Sequence, residues 1–309
     1  MAAHFGLPVL SPGVAGLDGT TPHPPPAHLA VGVGGAGGWY ALAWAGERAL
    51  RSASRLVILH ASPPQSPLAR RPGVPSIGLV ELVDPPLARA VSAARAKLGN
   101  RNVSLRILDG DPGAALAEAT TDAGMLVIGA GGGGSTVRRV IRHARCPVVV
   151  ARPGLGDHDA PFAGQVVVGV DAGPATDAAL GFAFEYADRR RLTVTAVHVT
   201  KADPSANVSR SGDLAAAMDL LRSRLEPWKR RYPQVPVRST VLHGEIGSGL
   251  IRAGAGADLL VIGDPHRGAF GRARTGDLPL TVAQRSRGPV AVVPASSVSA
   301  LPEAVRAPS

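Results

Sequence analysis

One arrangement of segments occurs twice in this chain: an apolar run, a turn, a helical segment and a second apolar run. It occupies residues 125–152, where the turn contains Gly129 and consecutive glycines at 131–134, and it returns at residues 259–294. An apolar run without alternation is typical of a strand buried on both faces of a parallel sheet. The repeat therefore predicts a chain built from two copies of one α/β unit.

The glycine-rich turn of the first copy has the chemistry of an anion site. Glycine lets bare backbone approach a ligand, and Ser135 and Thr136, which follow it, are suited to begin a helix. At a helix N-terminus, unpaired N–H groups and the positive end of the helix dipole point to the same place. The turn is therefore a candidate phosphate site.

Length and composition agree with two packed domains. The 309 residues are 45% hydrophobic, and a domain usually takes about 150 residues. No apolar stretch reaches the roughly 18 residues of a membrane-spanning helix, and the N-terminus lacks the basic start and apolar core of a signal peptide. The single cysteine, Cys146, has no disulfide partner and is expected in the core. We expect a cytoplasmic protein without membrane contact.

The net charge of +10 raises the question of nucleic-acid binding. Arginine supplies nearly all of this charge, and the arginines are spread along both copies. Aromatic residues make up 4% of the chain and are not interleaved with the basic clusters, so the stacking surfaces of RNA and single-strand binders are missing. The sequence favours solvated basic helix faces and predicts no specific nucleic-acid partner.

Strands and helices alternate along each copy. In the first copy, apolar strands are predicted at 28–35, 55–60 and 103–108, before the two strands that flank the glycine-rich turn. Five strands separated by helices predict an open five-stranded parallel sheet with helices on both faces, which is the Rossmann-like α/β class. Sheets of this kind bind ligands at the carboxyl ends of their strands.

Composition sets the predicted domain limits. The two domains cover residues 26–153 and 164–295, and a linker with glycine and proline, 154–163, joins them. The tails, 1–25 and 296–309, are expected to be disordered; the first is rich in proline, glycine and alanine and shows no sustained period.

The two copies resemble the universal stress protein family in its tandem two-domain form. HARCPVVVAR at 143–152 and SRGPVAVVP at 286–294 are similar to the family's last strand, and GVD at 169–171 is similar to its first turn. The resemblance implies domains of the adenine-nucleotide-hydrolase-like type, which are often dimeric and linked to survival under stress. It also implies ATP, with Mg²⁺, as the candidate ligand, because many members bind ATP through the loop pattern G-x2-G-x9-G-[ST].

The second copy matches this loop pattern in length but departs from it at two positions. Gly263 and Gly276 fit, whereas His266 stands at the second glycine and Asp277 replaces the Ser/Thr. A carboxylate at Asp277 should repel a phosphate chain, although a helix N-cap is the alternative interpretation of this residue. Asp171 matches the acidic residue that, in the family, lies near the nucleoside.

The first copy has the glycines of this loop pattern, but its loop is shorter. Gly129 and Gly132 fit G-x2-G, and Gly134 with Ser135 fits Gly-[ST], but one residue separates the two pairs instead of nine. Gly34 occupies the position of the family's aspartate. The turn could hold an anion through its amides or be a tight turn without a ligand, and the sequence leaves both interpretations open.

Signatures of catalysis are missing from the sequence. Residues 129–136 have the Walker A spacing, but Ser135 stands where the lysine of that motif is essential. The glycine-rich turns follow the fourth strand of each unit, whereas a dinucleotide fingerprint follows the first strand. The nine histidines show no metal-ligand spacing, and no nucleophile elbow occurs. We therefore expect no enzyme activity.

Three functions stay open on the sequence alone. The first is a regulatory or sensor module of the stress response with weak adenine-nucleotide binding. The second is a nucleotide-free protein-interaction module of the same fold, with unknown protein partners, and the third is a slow ATPase. The two domains are expected to pair within the chain or in a homodimer.

Overall fold

The computed structural model describes residues 28–62, 64–69, 73–131, 134–153, 159–200, 210–265 and 277–297. Two candidate site residues, Gly132 and Gly276, lie outside these ranges. His266, in the loop that ends at Gly276, lies outside them as well. The N-terminal tail lies outside them too, together with the first half of the linker and the C-terminal tail after residue 297.

The first domain alternates strands and helices. Its elements are β1 (Leu29–Gly32), α1 (Gly35–Ser52), β2 (Leu56–Ala61), α2 (Ile77–Val83), α3 (Pro85–Leu98), β3 (Val103–Leu108), α4 (Pro112–Ala119), β4 (Met125–Gly129), α5 (Ser135–His143) and β5 (Val148–Ala151). Helix α4 begins after Asp111, whose Oδ1 accepts a hydrogen bond from the Ala114 amide at 2.9 Å and caps the helix. The short helix α2 is absent from the sequence prediction.

The described part of the second domain repeats this order of strands and long helices. Its described elements are β6 (Val166–Gly169), α6 (Thr176–Arg190), β7 (Val194–Thr200), α7 (Arg210–Arg231), β8 (Val237–His243), α8 (Ile246–Ala253), β9 (Leu259–Asp264), α9 (Leu278–Arg285) and β10 (Val290–Pro294). The turn between β8 and α8 is short. Helix α8 already begins at Ile246, because the Glu245 carboxylate accepts bonds from the amides of Gly247 at 2.9 Å and Ser248 at 2.6 Å.

Ten strands form one sheet in the order β3-β2-β1-β4-β5-β10-β9-β6-β7-β8. Within each domain the five strands are parallel, which confirms the predicted α/β class. The two halves meet where β5 pairs with β10 in the antiparallel direction, with Val149 opposite Ala291. The two domains therefore pair within the chain.

Side chains of the strands alternate between two cores, one on each face of the sheet. The first core includes Val149 and Ala291 and is covered by α1, α3, α6 and α7. The second core includes Val148 and Val292 and is covered by α4, α5, α8 and α9. Both cores continue from one domain into the other, which is why the strands at the domain junction are apolar on both faces.

A mostly buried polar network joins the domains on the face covered by α1 and α6. Arg48 of α1 donates from Nε to the Tyr186 hydroxyl at 2.8 Å, and this hydroxyl donates to Asp258 Oδ2 at 2.7 Å. Arg190 donates to Asp258 Oδ1 at 2.9 Å, and the Arg48 guanidinium lies 4.2 Å from the centroid of the Trp44 ring. Burial and the neighbouring Asp258 charge raise the pKa of the Tyr186 hydroxyl, which keeps it a donor.

Replacing Tyr186 tests this network. Tyr186→Phe is expected to lower the free energy of unfolding by about 1–3 kcal/mol, because Arg48 and Asp258 lose a buried partner. Denaturation followed by circular dichroism measures the change. Arg189→Gln on the same helix is the control, since the Arg189 and Glu185 side chains are 52% and 45% exposed and such pairs contribute about 0–1 kcal/mol. Equal losses in the two variants would contradict the role given to the network.

Candidate functional site

The candidate sites lie at matching points of the two half-sheets, where the winding direction reverses. Strand β1 lies between β2 and β4, and strand β6 lies between β7 and β9. The turns that follow β1 and β4 leave the same edge of the sheet, as do the turns that follow β6 and β9. Open α/β sheets bind their ligands at this kind of point.

Asp171 is exposed at this edge, two residues after β6. Its Oδ1 accepts hydrogen bonds from the Gly173 amide at 2.8 Å and from the Thr176 hydroxyl at 2.5 Å. No donor in the described part of the chain contacts Oδ2. The carboxylate is therefore held in one orientation, and among the described residues only Oδ1 has hydrogen-bond donors.

The turn that carries Asp171 is clamped by a residue that sequence analysis missed. Arg224 of α7 donates to Asp177 Oδ2 at 2.9 Å and to the Ala172 carbonyl at 3.0 Å. Asp177 lies in the first turn of α6 and is 9% exposed. An arginine within a long basic helix gives no sequence signal for this contact, because its partners lie about 50 residues away.

Two histidines hold the backbone at the same edge in both domains. His60 Nδ1 lies 3.0 Å from the Val33 carbonyl, and His198 Nδ1 lies 2.8 Å from the Val170 carbonyl. Because a carbonyl oxygen only accepts, Nδ1 carries the proton in each ring. Both side chains therefore fix the turn after the first strand of their domain, as structural histidines do.

Gly129 and Gly263 are required by packing, whatever binds nearby. A Cβ atom at Gly129 would lie 2.0 Å from the Gly37 carbonyl oxygen, and one at Gly263 would lie 2.6 Å from the Ala175 carbonyl oxygen. Gly129 near the end of β4 thus packs against the backbone of the first turn of α1. Gly263 near the end of β9 packs against the backbone just before α6. The two glycines therefore keep the fold, and their presence does not require a ligand.

Alanine substitutions at two glycines distinguish a position where packing excludes a side chain from one where alanine only favours the helix. Gly263→Ala is expected to lower the free energy of unfolding by about 1–3 kcal/mol, because the added methyl group overlaps backbone that cannot move away easily. Gly46→Ala in α1 is the matched control, since nothing lies within 4 Å of its Cβ position. That change should stabilise the protein by about 0.4–1 kcal/mol. Chemical denaturation measures the free energy of unfolding of both variants. An unchanged free energy of unfolding in Gly263→Ala would refute the packing argument.

In the first domain the two turns touch each other. A Cβ atom at Gly37 would lie 2.6 Å from the Gly131 amide nitrogen. Gly34, at the position of the family's aspartate, offers no side chain. Gly134 has φ of 70°, in the left-handed region that favours glycine, and it leads into the exposed Ser135 at the start of α5.

Asp277 contacts the other domain. Its Oδ2 accepts hydrogen bonds from Arg142 of α5, at 2.8 Å from Nη2 and 3.2 Å from Nε. Asp277 occupies the N-cap position of α9, as the capping interpretation predicts. Its side chain makes no capping hydrogen bond, however, so the predicted capping contact is absent. The Arg142 guanidinium offsets the charge that was expected to repel a phosphate.

Cys146 is a buried residue of the second core. It is 5% exposed, and burial raises the pKa of its thiol to about 12. The thiol is therefore almost entirely protonated at neutral pH and a poor nucleophile.

A thiol reagent checks this assignment, because the chain has only one cysteine. Cys146 in the native protein should react far more slowly with a coloured disulfide reagent than Cys146 in the denatured protein. If the native protein reacts at all without unfolding, the rate should rise about tenfold per pH unit, since the thiolate fraction does so below the pKa. Rapid labelling of the native protein at neutral pH would contradict the assignment.

Two features are absent from the described residues. No group of three His, Cys, Asp or Glu side chains among them is arranged to hold a metal ion. No described helix is both long and apolar enough to cross a membrane.

The chain is similar to known proteins over both of its copies. The sequence model of the universal stress protein family matches residues 27–152 and 163–294. Universal stress protein Rv2623 of Mycobacterium tuberculosis is 30% identical over 226 residues, which cover 68% of this chain and 74% of that protein. Universal stress protein Rv2005c of the same organism is 29% identical over 221 residues, which cover 67% and 75%.

Solved structures share the fold at low sequence identity. A universal stress protein from Archaeoglobus fulgidus superposes with a TM-score of 0.59 at 14% identity, covering 87% of this chain and 96% of that chain. A universal stress protein from Pseudomonas aeruginosa superposes with a TM-score of 0.55 at 16% identity, covering 87% and 93%. The likeness extends over both domains of this chain.

Proposed function

This chain belongs to the universal stress protein family, and from that premise we propose that it is a regulatory module which binds an adenine nucleotide weakly in its second domain. The observation that carries the proposal is the exposed Asp171 carboxylate at the switch point of the second half-sheet. One of its oxygens is fixed by Gly173 and Thr176, and the other is available to a hydroxyl or amine of a nucleoside.

The two domains differ in ways that favour the second. Next to Gly263 the loop keeps the length of the family's ATP loop in sequence, and Gly276 ends that loop. In the first domain the backbone at Gly37 and Gly131 leaves no room for even a methyl group between the turns. We therefore propose Asp171, Gly263 and Gly276 as the principal binding residues.

The first domain is given a lesser role in nucleotide binding. Its proposed binding residues are Gly129, Gly132, Gly134 and Ser135, whose amides could hold a phosphate group at the start of α5. The proposed ligand is ATP, with Mg²⁺ carried by the phosphates of the nucleotide. The proposal concerns binding alone and includes no catalytic step.

The organisation of the module is also a proposal. Residues 26–153 and 164–295 are its two domains, joined by 154–163. We place it in the cytoplasm. Its protein partners and a homodimer stay predictions from the sequence.

Calorimetric titration with ATP and Mg²⁺ tests the nucleotide site. Asp171→Asn is expected to weaken binding about tenfold, because the free oxygen loses its charge. Asp219→Asn is the control, since Asp219 is an exposed carboxylate of α7 whose ion-pair partner among the described residues is Arg222, at 3.2 Å. Identical affinities in the parent and both variants would show that Asp171 is not part of a nucleotide site.

A nucleotide-free interaction module is the second candidate. It is favoured by large apolar side chains on and beside α2, where Val74 is 77% exposed and Leu82 is 82% exposed. Exposed apolar groups close together in sequence are typical of protein-contact surfaces. Absence of saturable ATP binding at millimolar concentration, in protein shown to be free of bound nucleotide, would favour this candidate over the first.

A further inference from the structure

The outer face of α5 carries a concentrated positive charge. Three arginines, a histidine and a serine of this one helix line an open cleft of about 430 Å³, referred to below as the cationic cleft: Ser135, Arg138, Arg139, Arg142 and His143. Their spacing of three and four residues places them on neighbouring turns of one helix face. The opposite face, with Val137, Val140 and Ile141, is buried in the second core.

The charges in this cleft are only partly balanced. Arg139 pairs with Asp111 at 3.1 Å, and Arg142 pairs with Asp277 at 2.8 Å. Arg138 has no carboxylate or other acceptor within hydrogen-bond distance among the described residues. Like charges four residues apart, as in Arg138 and Arg142, destabilise a helix. A bound anion would relieve this repulsion.

Asp277 already shows how an anion sits on this face. Its carboxylate oxygen accepts two hydrogen bonds from Arg142, the arrangement that a phosphate oxygen would also adopt. The Arg142 and Asp277 side chains are 38% and 25% exposed, so solvent reaches the pair. The carboxylate can therefore be exchanged for another anion without exposing buried charge.

The dimensions of the cationic cleft indicate which anion fits. From Ser135 to Arg142 the helix rises roughly 10 Å, which matches a short chain of phosphates better than a single one. Guanidinium groups bind phosphate oxygens in pairs, and three of these groups lie along this face of α5. None of the described residues that line the cleft is Phe, Tyr or Trp, so the cleft lacks the large aromatic rings on which single-strand binders stack bases.

We propose that the cationic cleft binds a linear oligophosphate, with Arg138 and Arg142 as its principal contacts and Asp277 as a competing internal anion. The ligand is either a free inorganic oligophosphate or the phosphate tail of a nucleotide, since both present the same chemistry. The site lies on α5 of the first domain, and its binding does not depend on Asp171 in the second.

Titration of the full chain with inorganic tripolyphosphate at low salt tests the site. Arg138→Gln is expected to weaken binding about tenfold, because one charge-assisted contact is lost. Arg222→Gln on α7 is the matched control: it makes the same charge change on the opposite face of the sheet and should alter affinity by less than about twofold. Equal weakening by the two substitutions, or no saturable binding, overturns the proposal.

Asp277→Asn gives a test in the opposite direction. Removing the competing carboxylate is expected to tighten tripolyphosphate binding by about fivefold, whereas Asp219→Asn, the same change on α7, should not. Thermal denaturation of each variant confirms that it is folded before titration. Weaker binding in Asp277→Asn, in a folded protein, would show that Asp277 does not compete for the cleft.

Competition identifies the source of the phosphates. If ATP displaces tripolyphosphate and adenosine does not, the cleft takes the tail of a nucleotide; if neither displaces it, the cleft takes free oligophosphate. In both cases Asp171→Asn should leave tripolyphosphate affinity unchanged. If Asp171→Asn also lost tripolyphosphate binding, the proposal of a separate site on α5 would be wrong. If it lost ATP binding and kept tripolyphosphate binding, the result would support the nucleotide site at Asp171 and leave the cationic cleft in place.

Discussion

The antiparallel pairing of β5 with β10 is the interaction on which the rest of the molecule depends. Each half-sheet ends in a strand that is apolar throughout, and alone it would leave backbone N–H and C=O groups unpaired along an exposed edge. Pairing these two edges produces one sheet of ten strands and two cores that run through both domains. It removes an aggregation-prone edge from each copy and fixes the domains relative to each other.

That junction decides which side chains from distant parts of the chain meet. Arg152, just after β5, donates to the carbonyls of Ala283 and Gln284 at 2.8 and 2.7 Å, near the end of α9, where a positive charge is favourable. The start of α9 meets α5 through Asp277 and Arg142. The aspartate that departs from the family's loop pattern thus supplies an ion pair between domains, and it brings a carboxylate to the most basic helix face.

The two copies are alike in the residues that packing requires and differ at the proposed nucleotide contact. Gly129 and Gly263 occupy matching positions because backbone passes too close for a side chain in both domains. His60 and His198 likewise hold matching carbonyls. Gly34 and Asp171 also stand at matching positions, and there only the second copy presents a carboxylate. The two copies therefore match where packing fixes the residue and differ at the position of the proposed ligand contact.

The sequence by itself determined the doubled α/β fold, the family and local features such as the start of α5 at Ser135, because each depends on residues a few positions apart. It also predicted Asp171 as a binding residue, and the structure has Asp171 exposed two residues after β6. It did not reveal the partner of Asp277, which lies 135 residues away, or the Arg224 clamp on the Asp171 turn. Only the tertiary structure decided these contacts, because they follow from the register of β5 against β10 and from how the helices pack on the sheet.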